Sequence, residues 1–297
     1  MTASLFVQGL INGLNQGAIY ALIALGYTMV YGIIRMINFA HGDFIMIGAY
    51  TLFYTIPLMV DAGMPAWMAV IVAVAVCALV GVLVEILAYR PVRKAGPMSA
   101  LITALAMSIF LENLAMVLFG AKPHNVQAIF SLPTITVGGV SLPLNVLLTI
   151  GIGVAMMLCM QLFVKKTKLG KAMRAVSYDT DAALLMGINV DHVISFTFAL
   201  GSCLAGAAGV LVGIYYNTID PLMGIMPGLK AFIAAVLGGI GIIPGAMMGG
   251  LILGVVEALV SGFISSTFRD AAAFAILIII LLIKPTGLLG KNQTEKV

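Results

Sequence analysis

The side chains of this sequence that could do chemistry are carboxylates set inside long apolar runs. Three of them stand out: Glu85, Glu112 and Glu257. A carboxylate within an apolar span is costly, so it either pairs with a nearby base or marks the path of a substrate or coupling ion. We expect Glu85 to pair with Arg90 or Arg93. Glu112, followed by Asn113, is the best candidate for a functional carboxylate, and a satisfied structural group is the alternative.

A second polar group is the stretch INFAHGDF at residues 37–44, which lies between two long apolar runs. Asn38 or Asp43 can hydrogen-bond local backbone and cap a turn, and an acidic residue near a helix start suits the helix dipole. Gly42 permits a tight bend, and His41 can pair with Asp43 or face the cytosol. One interpretation is a structured cytoplasmic turn with satisfied helix ends. The other interpretation is that the stretch is part of an intracellular gate or of a surface that faces an energy-supplying partner.

The motifs of common enzymes and metal sites are missing from the sequence. It contains no GxxxxGK[ST] P-loop, no HExxH and no GxSxG. The 3 cysteines lie in apolar runs without metal or disulfide spacing, and the 3 histidines are scattered. We therefore expect no enzyme activity, no metal and no cofactor in this chain.

The composition indicates which elements must position these side chains. Of the 297 residues, 62% are hydrophobic and 9% are charged, whereas a soluble domain has about 25% charged residues. The chain is therefore predicted to be a single-domain, all-α polytopic membrane protein over residues 1–297, because its apolar runs are continuous rather than alternating. No internal sequence repeat is evident. The predicted segments are 8–34, 43–60, 66–89, 98–119, 141–164, 193–215, 228–243, 244–262 and 270–289.

The number of crossings depends on the seventh segment, which is short and interrupted by GGIGIIPG at 238–245. Nine crossings with the N-terminus outside and the C-terminus inside are preferred, and eight or ten, or a re-entrant half-helix, are the alternatives. Basic residues favour this orientation because they collect in cytoplasmic loops. It leaves three of them outside: Lys122, Lys230 and Arg269. The cytoplasmic loops and the C-terminus are marked by Arg35, Arg90, Arg93, Lys94, Lys165, Lys166, Lys168, Lys171, Arg174, Lys284, Lys291 and Lys296.

Glycines recur four positions apart in several apolar segments. This spacing lets two helix backbones approach closely in lipid, so it predicts tight helix packing, with bending points of a moving gate as the alternative. The glycines concerned are Gly9, Gly13 and Gly17, Gly209 and Gly213, Gly245 and Gly249, and Gly250 and Gly254.

The richest polar region, residues 165–192, falls on the predicted cytoplasmic side. Its middle is typical of a short amphipathic helix with Ala182, Leu185 and Met186 on one face. Thr180 is the expected N-cap and Gly187 the expected stop. Such a helix is either a handle for a cytosolic partner or an interfacial helix on anionic lipid.

Within this loop, DAALLMG at residues 181–187 resembles the coupling segment of bacterial ABC importer permeases. The general motif of that segment is Glu-Ala-Ala, three residues, then Gly, and here Asp replaces Glu. Longer stretches are similar to LivH-type branched-chain amino acid permeases, and together they cover nearly the whole chain. They are GAIYALIALGYTMVYGIIRMINFAHGDF, GKAMRAVSYDTDAALLMGIN, KAFIAAVLGGIGIIPGAMMGGLILGVVEAL and KPTGLLG.

The resemblance implies one of two unlike permease subunits of an importer for leucine, isoleucine and valine in the bacterial inner membrane. The implied partners are a LivM-type second permease, two cytosolic P-loop ATPases that bind ATP, and a periplasmic or lipid-anchored amino-acid-binding protein, with membrane lipid around them and no nucleic acid. The alternatives are another amino acid, amide or urea as substrate, or a stand-alone ion-coupled secondary transporter. The implied coupling residues are Arg174, Asp179, Asp181, Ala182, Ala183 and Gly187, and the expected path residues are Asn12, Gln16, Glu112 and Asn113.

Overall fold

The computed structural model describes residues 3–93, 95–126, 133–137 and 140–290. All of its long elements are helices, which confirms the all-α prediction. Lys94, Lys291 and Lys296, which the sequence predicts to be cytoplasmic, lie outside the described residues. The helices are α1 (Ala3–Ile34), α2 (Asp43–Asp61), α3 (Met68–Val92), α4 (Pro97–Phe119), α5 (Leu144–Lys166), α6 (Lys168–Tyr178), α7 (Thr180–Leu185), α8 (Val190–Tyr216), α9 (Ile225–Gly238), α10 (Ile243–Phe263) and α11 (Arg269–Ile283).

Eight helices of the described chain are long and apolar enough to cross a membrane, the last of them counted from Ser266. The seventh predicted crossing corresponds to α9, which has only 14 residues. At 1.5 Å per residue it spans about 21 Å, which is less than the roughly 30 Å of a hydrocarbon core. The sequence therefore predicted a helical segment here, but this helix is too short to cross the membrane by itself. Residues 217–224, which are mostly non-helical, lead from the end of α8 to the start of α9.

The two described ends of the chain lie at opposite ends of the helix bundle. We call the end at which α1 begins the outer end and the end at which α1 finishes the inner end. Phe6 packs against Phe263 at the outer end, with ring centroids 6.1 Å apart. At the inner end, the Leu288 N–H donates to the Leu237 carbonyl over 2.8 Å. Opposite ends require an odd number of crossings, as the nine-crossing topology does.

Glycines bring α1 and α10 into backbone contact, as their spacing predicts. A Cβ on Gly13 would lie 2.7 Å from the Val255 Cα, and one on Gly17 would lie 2.8 Å from the Leu251 Cα. Gly254 in turn faces the backbone of Gly17. Because each of these sites would be blocked by a methyl group, the packing interpretation of these glycines is confirmed.

Deep in the bundle, the starts of α2 and α9 cross at two glycines. A Cβ on Gly42 would lie 2.7 Å from the Gly224 carbonyl oxygen, and a Cβ on Gly224 would overlap the Gly42 carbonyl. His41 lies against Gly26, which is eight residues before the inner end of α1, or about 12 Å along the helix axis. Two helices therefore begin inside the protein, one reached from each end of the bundle.

The two segments that lead to this crossing are built alike. Arg35 and Asn217, the non-glycine residues of the described chain with positive φ (56° and 53°), come directly after α1 and α8. Arg35 stands seven positions before Gly42, and Asn217 stands seven positions before Gly224. In each case a helix begins at the residue that follows the glycine. Arg35 enters from the inner end and Asn217 from the outer end. The described fold thus contains an inverted structural repeat that the sequence did not reveal.

Short β pairs lie at the outer end. Strand β1 (His124–Asn125) pairs with β4 (Thr218–Ile219), and β2 (Thr134–Val137) pairs with β3 (Val140–Pro143), both antiparallel. The Ser141 N–H donates to Gln8 Oε1 over 2.9 Å, which fixes the second hairpin beside the start of α1.

Candidate functional site

A groove with a cavity of about 780 Å³ lies at the inner end. The end of α1, the short helices α6 and α7 and the start of α8 form its walls. Two predicted coupling residues, Asp181 and Gly187, line it together with Arg93 and Asp191. The sequence motif and the groove therefore coincide in space.

Both ends of α7 are held by local hydrogen bonds. Asp179, not Thr180 as expected, is the N-cap: its Oδ1 accepts from the backbone N–H of Asp181 at 2.9 Å and of Ala182 at 3.0 Å. Thr180 is instead the first helical residue. Gly187 terminates the helix with φ +81°, as predicted, and the Ile188 N–H closes the turn on the Ala183 carbonyl over 3.0 Å.

The apolar side chains of α7 point away from the rest of the protein. Leu185 is 88% exposed and Met186 is 82% exposed, and the neighbouring Leu184 is also exposed. Ala182 is exposed as well, whereas Ala183 is buried and seats the helix on the bundle. A rigid helix that presents bulky apolar side chains is suited to docking against a partner or to lying on lipid.

Arg174 does not join this surface. Its Nη1 donates to the Val164 carbonyl near the end of α5 over 2.5 Å, and its side chain is partly buried. Lys and Arg side chains commonly satisfy the free carbonyls at a helix C-terminus. Arg174 therefore anchors α6 to α5, and its predicted coupling role has no geometric support among the described residues.

A buried ion network adjoins the groove. Glu85 is fully buried and accepts from Arg90 Nη2 at 2.9 Å and Arg93 Nη2 at 2.6 Å, so its predicted pairing is confirmed. Ser195 of α8 also donates to Glu85 over 2.7 Å. Arg93 Nη1 also forms an ion pair with Asp191 Oδ1, at the start of α8, over 2.9 Å. These contacts join α3 to α8 beside α7.

The INFAHGDF stretch lies inside the bundle rather than at a cytoplasmic surface. Asn38, His41 and Asp43 are each at most 2% exposed. Asn38 makes no side-chain cap, and His41 is buried instead of facing the cytosol. Asp43 lies in the first turn of α2, as the helix-dipole prediction requires. Asn38 Oδ1 instead accepts from the Tyr89 hydroxyl at 2.7 Å.

Three atoms of this stretch are buried without a hydrogen-bond partner among the described residues. They are Asn38 Nδ2, His41 Nε2 and Asp43 Oδ2. A buried polar atom left unpaired costs about 1–3 kcal/mol. Native structures retain few such groups, and those retained often serve a function. These unpaired atoms are consistent with the gate interpretation of the stretch.

Glu112 and Asn113 lie on the outward face of α4. Glu112 is partly exposed and Asn113 is exposed, with its Nδ2 donating to the Ile109 carbonyl over 2.7 Å. The two predicted path residues therefore stand on a face that the described residues leave at least partly uncovered.

The other two predicted path residues, Asn12 and Gln16, lie on α1 and are placed differently. Asn12 is exposed and accepts from Gln8 over 3.2 Å. Gln16 lines a pocket at the outer end and donates to the Tyr20 hydroxyl over 2.8 Å. The Tyr20 hydroxyl then donates to Glu257 Oε2 over 2.8 Å.

Glu257 is the centre of a second buried ion network that sequence reasoning missed. Arg269 Nε donates to Glu257 Oε2 over 3.1 Å. Lys230 Nζ lies 3.0 Å from Glu257 Oε1, in an orientation that does not complete a hydrogen bond, and 2.7 Å from Asp270 Oδ1. Lys230, counted above as an outside residue, is 5% exposed. The network joins α1, α9, α10 and α11.

These features define a multi-pass helical membrane protein with exposed apolar side chains on a short helix at one end and a polar pocket at the other. The family model described as "Branched-chain amino acid transport system / permease component" matches residues 9–283, and the chain belongs to this family.

Among curated relatives, the "High-affinity branched-chain amino acid transport system permease protein LivH" of Salmonella typhimurium is 45% identical and that of Escherichia coli is 44% identical. The corresponding protein BraD of Pseudomonas aeruginosa is 42% identical. Each alignment covers 98% of both chains.

Proposed function

We propose that this chain is one permease subunit of an ATP-binding cassette importer that moves leucine, isoleucine and valine across the bacterial inner membrane. The substrate class rests on the similarity to the LivH and BraD relatives. The chain has no P-loop of its own, so the energy comes from two cytosolic ATPase subunits that bind ATP. The permease itself needs no cofactor.

The observation that carries the proposal is the capped, exposed helix α7 beside the inner groove. Leu185 and Met186 supply the apolar contact, and Asp181 and Arg93 line the groove beside them. The ATPase subunits dock here, and Arg93 and Asp191 pass the movement to α3 and α8. The inner end is then the cytoplasmic end, in agreement with the nine described Lys and Arg residues that lie there. The N-terminus is accordingly outside.

The face of α4 that carries Glu112 and Asn113 supports a second permease. A carboxylate in a spanning helix is disfavoured against lipid, so this face is covered in the assembled transporter. A LivM-type permease covers it and shares the path there, while lipid contacts the remaining apolar faces. At the outer end, a periplasmic or lipid-anchored binding protein delivers the amino acid near loops 61–65, 120–126, 217–224 and 264–268.

A charge placed on α7 tests this docking. Leu185→Asp is expected to fold, because the side chain is 88% exposed, but to lose the co-purifying ATPase subunits and ATP-driven leucine uptake. Ile264→Asp is the matched control: its side chain is 70% exposed at the opposite end, so it should retain the ATPases. A Leu185→Asp chain that still holds both ATPases and transports normally would rule out docking at α7.

A stand-alone ion-coupled transporter predicts a different outcome. The native chain would then purify alone in mild detergent and accumulate substrate under an ion gradient without ATP. Glu112→Gln would abolish that activity, because Glu112 was the carboxylate favoured for ion coupling. Recovery of a second permease and two ATPases with the native chain would reject this alternative.

A further inference from the structure

A polar pocket of about 350 Å³ opens at the outer end between α1, α8, α9 and the start of α11. Its volume is within the range of small-molecule sites, which combine an apolar lining with a few polar groups. Here the lining carries charges of both signs. The helix α9 begins at this pocket, and its dipole adds positive potential there.

The positive side of the pocket is Arg269. Its Nε is engaged by Glu257, but Nη1 and Nη2 have no hydrogen-bond partner among the described residues. Glu257 thereby fixes the guanidinium plane and leaves the two donors that suit a carboxylate. Lys230 also lines the pocket, yet Glu257 and Asp270 already neutralise it.

The negative side of the pocket is Asp220. Its Oδ1 accepts from the Leu222 backbone N–H over 2.9 Å, which holds the side chain in place. Its Oδ2 has no partner in the described part of the chain, and the residue is partly exposed. A fixed carboxylate with one free oxygen suits an ammonium group.

The apolar part of the lining comes from Val212, Met223 and Met226. Methionine side chains are flexible and fill irregular gaps, so they can adapt to aliphatic groups of somewhat different shape. The pocket therefore offers a carboxylate donor, an ammonium acceptor and an adaptable apolar wall.

We propose that this pocket binds a free aliphatic α-amino acid as a zwitterion, with its carboxylate on Arg269 and its ammonium on Asp220. The side chain lies against Val212, Met223 and Met226. This inference rests on the proposed function and adds to it the first binding station inside the permease. It also assigns roles to Arg269 and Asp220, which the sequence did not identify.

The test is protection of an introduced cysteine in the pocket. Met226→Cys is made in the full chain, and the assembled transporter is reconstituted in nanodiscs without nucleotide or binding protein. The complex is labelled with a membrane-impermeant maleimide, and the signal of the unsubstituted chain is subtracted. We expect leucine to protect Cys-substituted position 226 in a concentration-dependent manner. Ile264→Cys, exposed at the same end but outside the pocket, should label equally with or without leucine.

Two analogues of leucine then test separately whether its carboxylate and its ammonium group contribute to binding. Leucinamide lacks the carboxylate and N-acetyl-leucine lacks the ammonium, so each should need at least about tenfold more ligand for half-protection, because hydrogen bonds to charged groups are strong. Asp220→Asn keeps the acceptor for Leu222 and should weaken protection by leucine to a similar degree. Equal protection by leucine and leucinamide would show a simple cation site and overturn the proposal.

Uptake by the same purified variant complex, reconstituted in proteoliposomes, separates the two proposals. With the binding protein and ATP added to proteoliposomes, leucine uptake without any protection at position 226 would reject this pocket and leave the proposed function standing. Protection together with uptake supports both. Absence of leucine uptake by the complete, ATP-hydrolysing complex would reject the proposed substrate itself.

Discussion

Replacing Gly42 by alanine separates packing from backbone preference at the helix crossing. Gly42 has φ −61° and ψ −33°, an ordinary right-handed helical conformation that alanine adopts readily. Judged by conformation alone, Gly42→Ala would stabilise the protein by about 0.4–1 kcal/mol, because it lowers the entropy of the unfolded chain. The structure predicts the opposite sign.

The new methyl group has no space. It would lie 2.7 Å from the Gly224 carbonyl oxygen and 3.4 Å from the Gly228 Cα. Both neighbours are backbone atoms, so no side-chain rotation can relieve the overlap and one of the two helix starts must move. Overpacking of this kind costs about 1–3 kcal/mol, which exceeds the conformational gain.

Thermal stability of the chain purified in mild detergent measures this balance, with loss of the monodisperse peak on size exclusion as the readout. Gly151→Ala is the control, because nothing lies within 4 Å of a Cβ built there in the middle of α5. We expect Gly151→Ala to be at least as stable as the native chain and Gly42→Ala to be less stable by several degrees. Equal stability of the two variants would refute the close crossing of α2 and α9.

Three further substitutions test individual contacts. Glu257→Gln should cause the largest loss of stability, about 3–5 kcal/mol, because it removes the buried carboxylate that pairs with Lys230 and Arg269. Asp270→Asn is the control and should lower stability much less, because the Asp270 side chain is 48% exposed. Tyr89→Phe leaves Asn38 Oδ1 without its donor and should lower the midpoint of thermal unfolding by the equivalent of about 1–3 kcal/mol. Tyr178→Phe is the control and should not change this midpoint, because Tyr178 is 83% exposed. Asp179→Ala removes the N-cap of α7 and should raise amide exchange in that helix, by the equivalent of about 0.5–2 kcal/mol, while exchange in α8 stays unchanged.

Features that depend on neighbouring residues were predictable from the sequence. The Glu85 partners follow it within eight positions, and Gly187 ends α7 because only a residue tolerant of positive φ fits there. The spacing of glycines along α1 and α10 likewise predicted close packing. In each case the physical cause is contained in one short stretch of chain.

Features that depend on distant pairs were not predictable. Tyr20 and Glu257 are 237 positions apart, and nothing in either stretch indicates that they meet. The nine-crossing topology leaves Lys230 outside, although two acidic partners allow it to be buried. INFAHGDF has the composition of a surface turn, and only the glycine-lined crossing shows that the chain turns back into the bundle. The inverted repeat was hidden because its shared parts are backbone conformations rather than residue types.

The two buried ion networks lie at opposite ends of the helix bundle. Glu85 secures the inner end of α3 to α8, beside the groove where the ATPases are proposed to bind, and Glu257 secures the outer ends of α1, α9 and α10 beside the proposed amino acid pocket. The first network joins α3 to α8, and the second joins α1, α9, α10 and α11, so each holds several helices together. The Gly42–Gly224 crossing lies between the two networks, and there the two backbones are in direct contact. Two helix groups that are each held by an ion network and meet at a close glycine crossing are suited to tilt about that crossing. We infer that such tilting lets a force applied at α7 change access to a pocket at the opposite end.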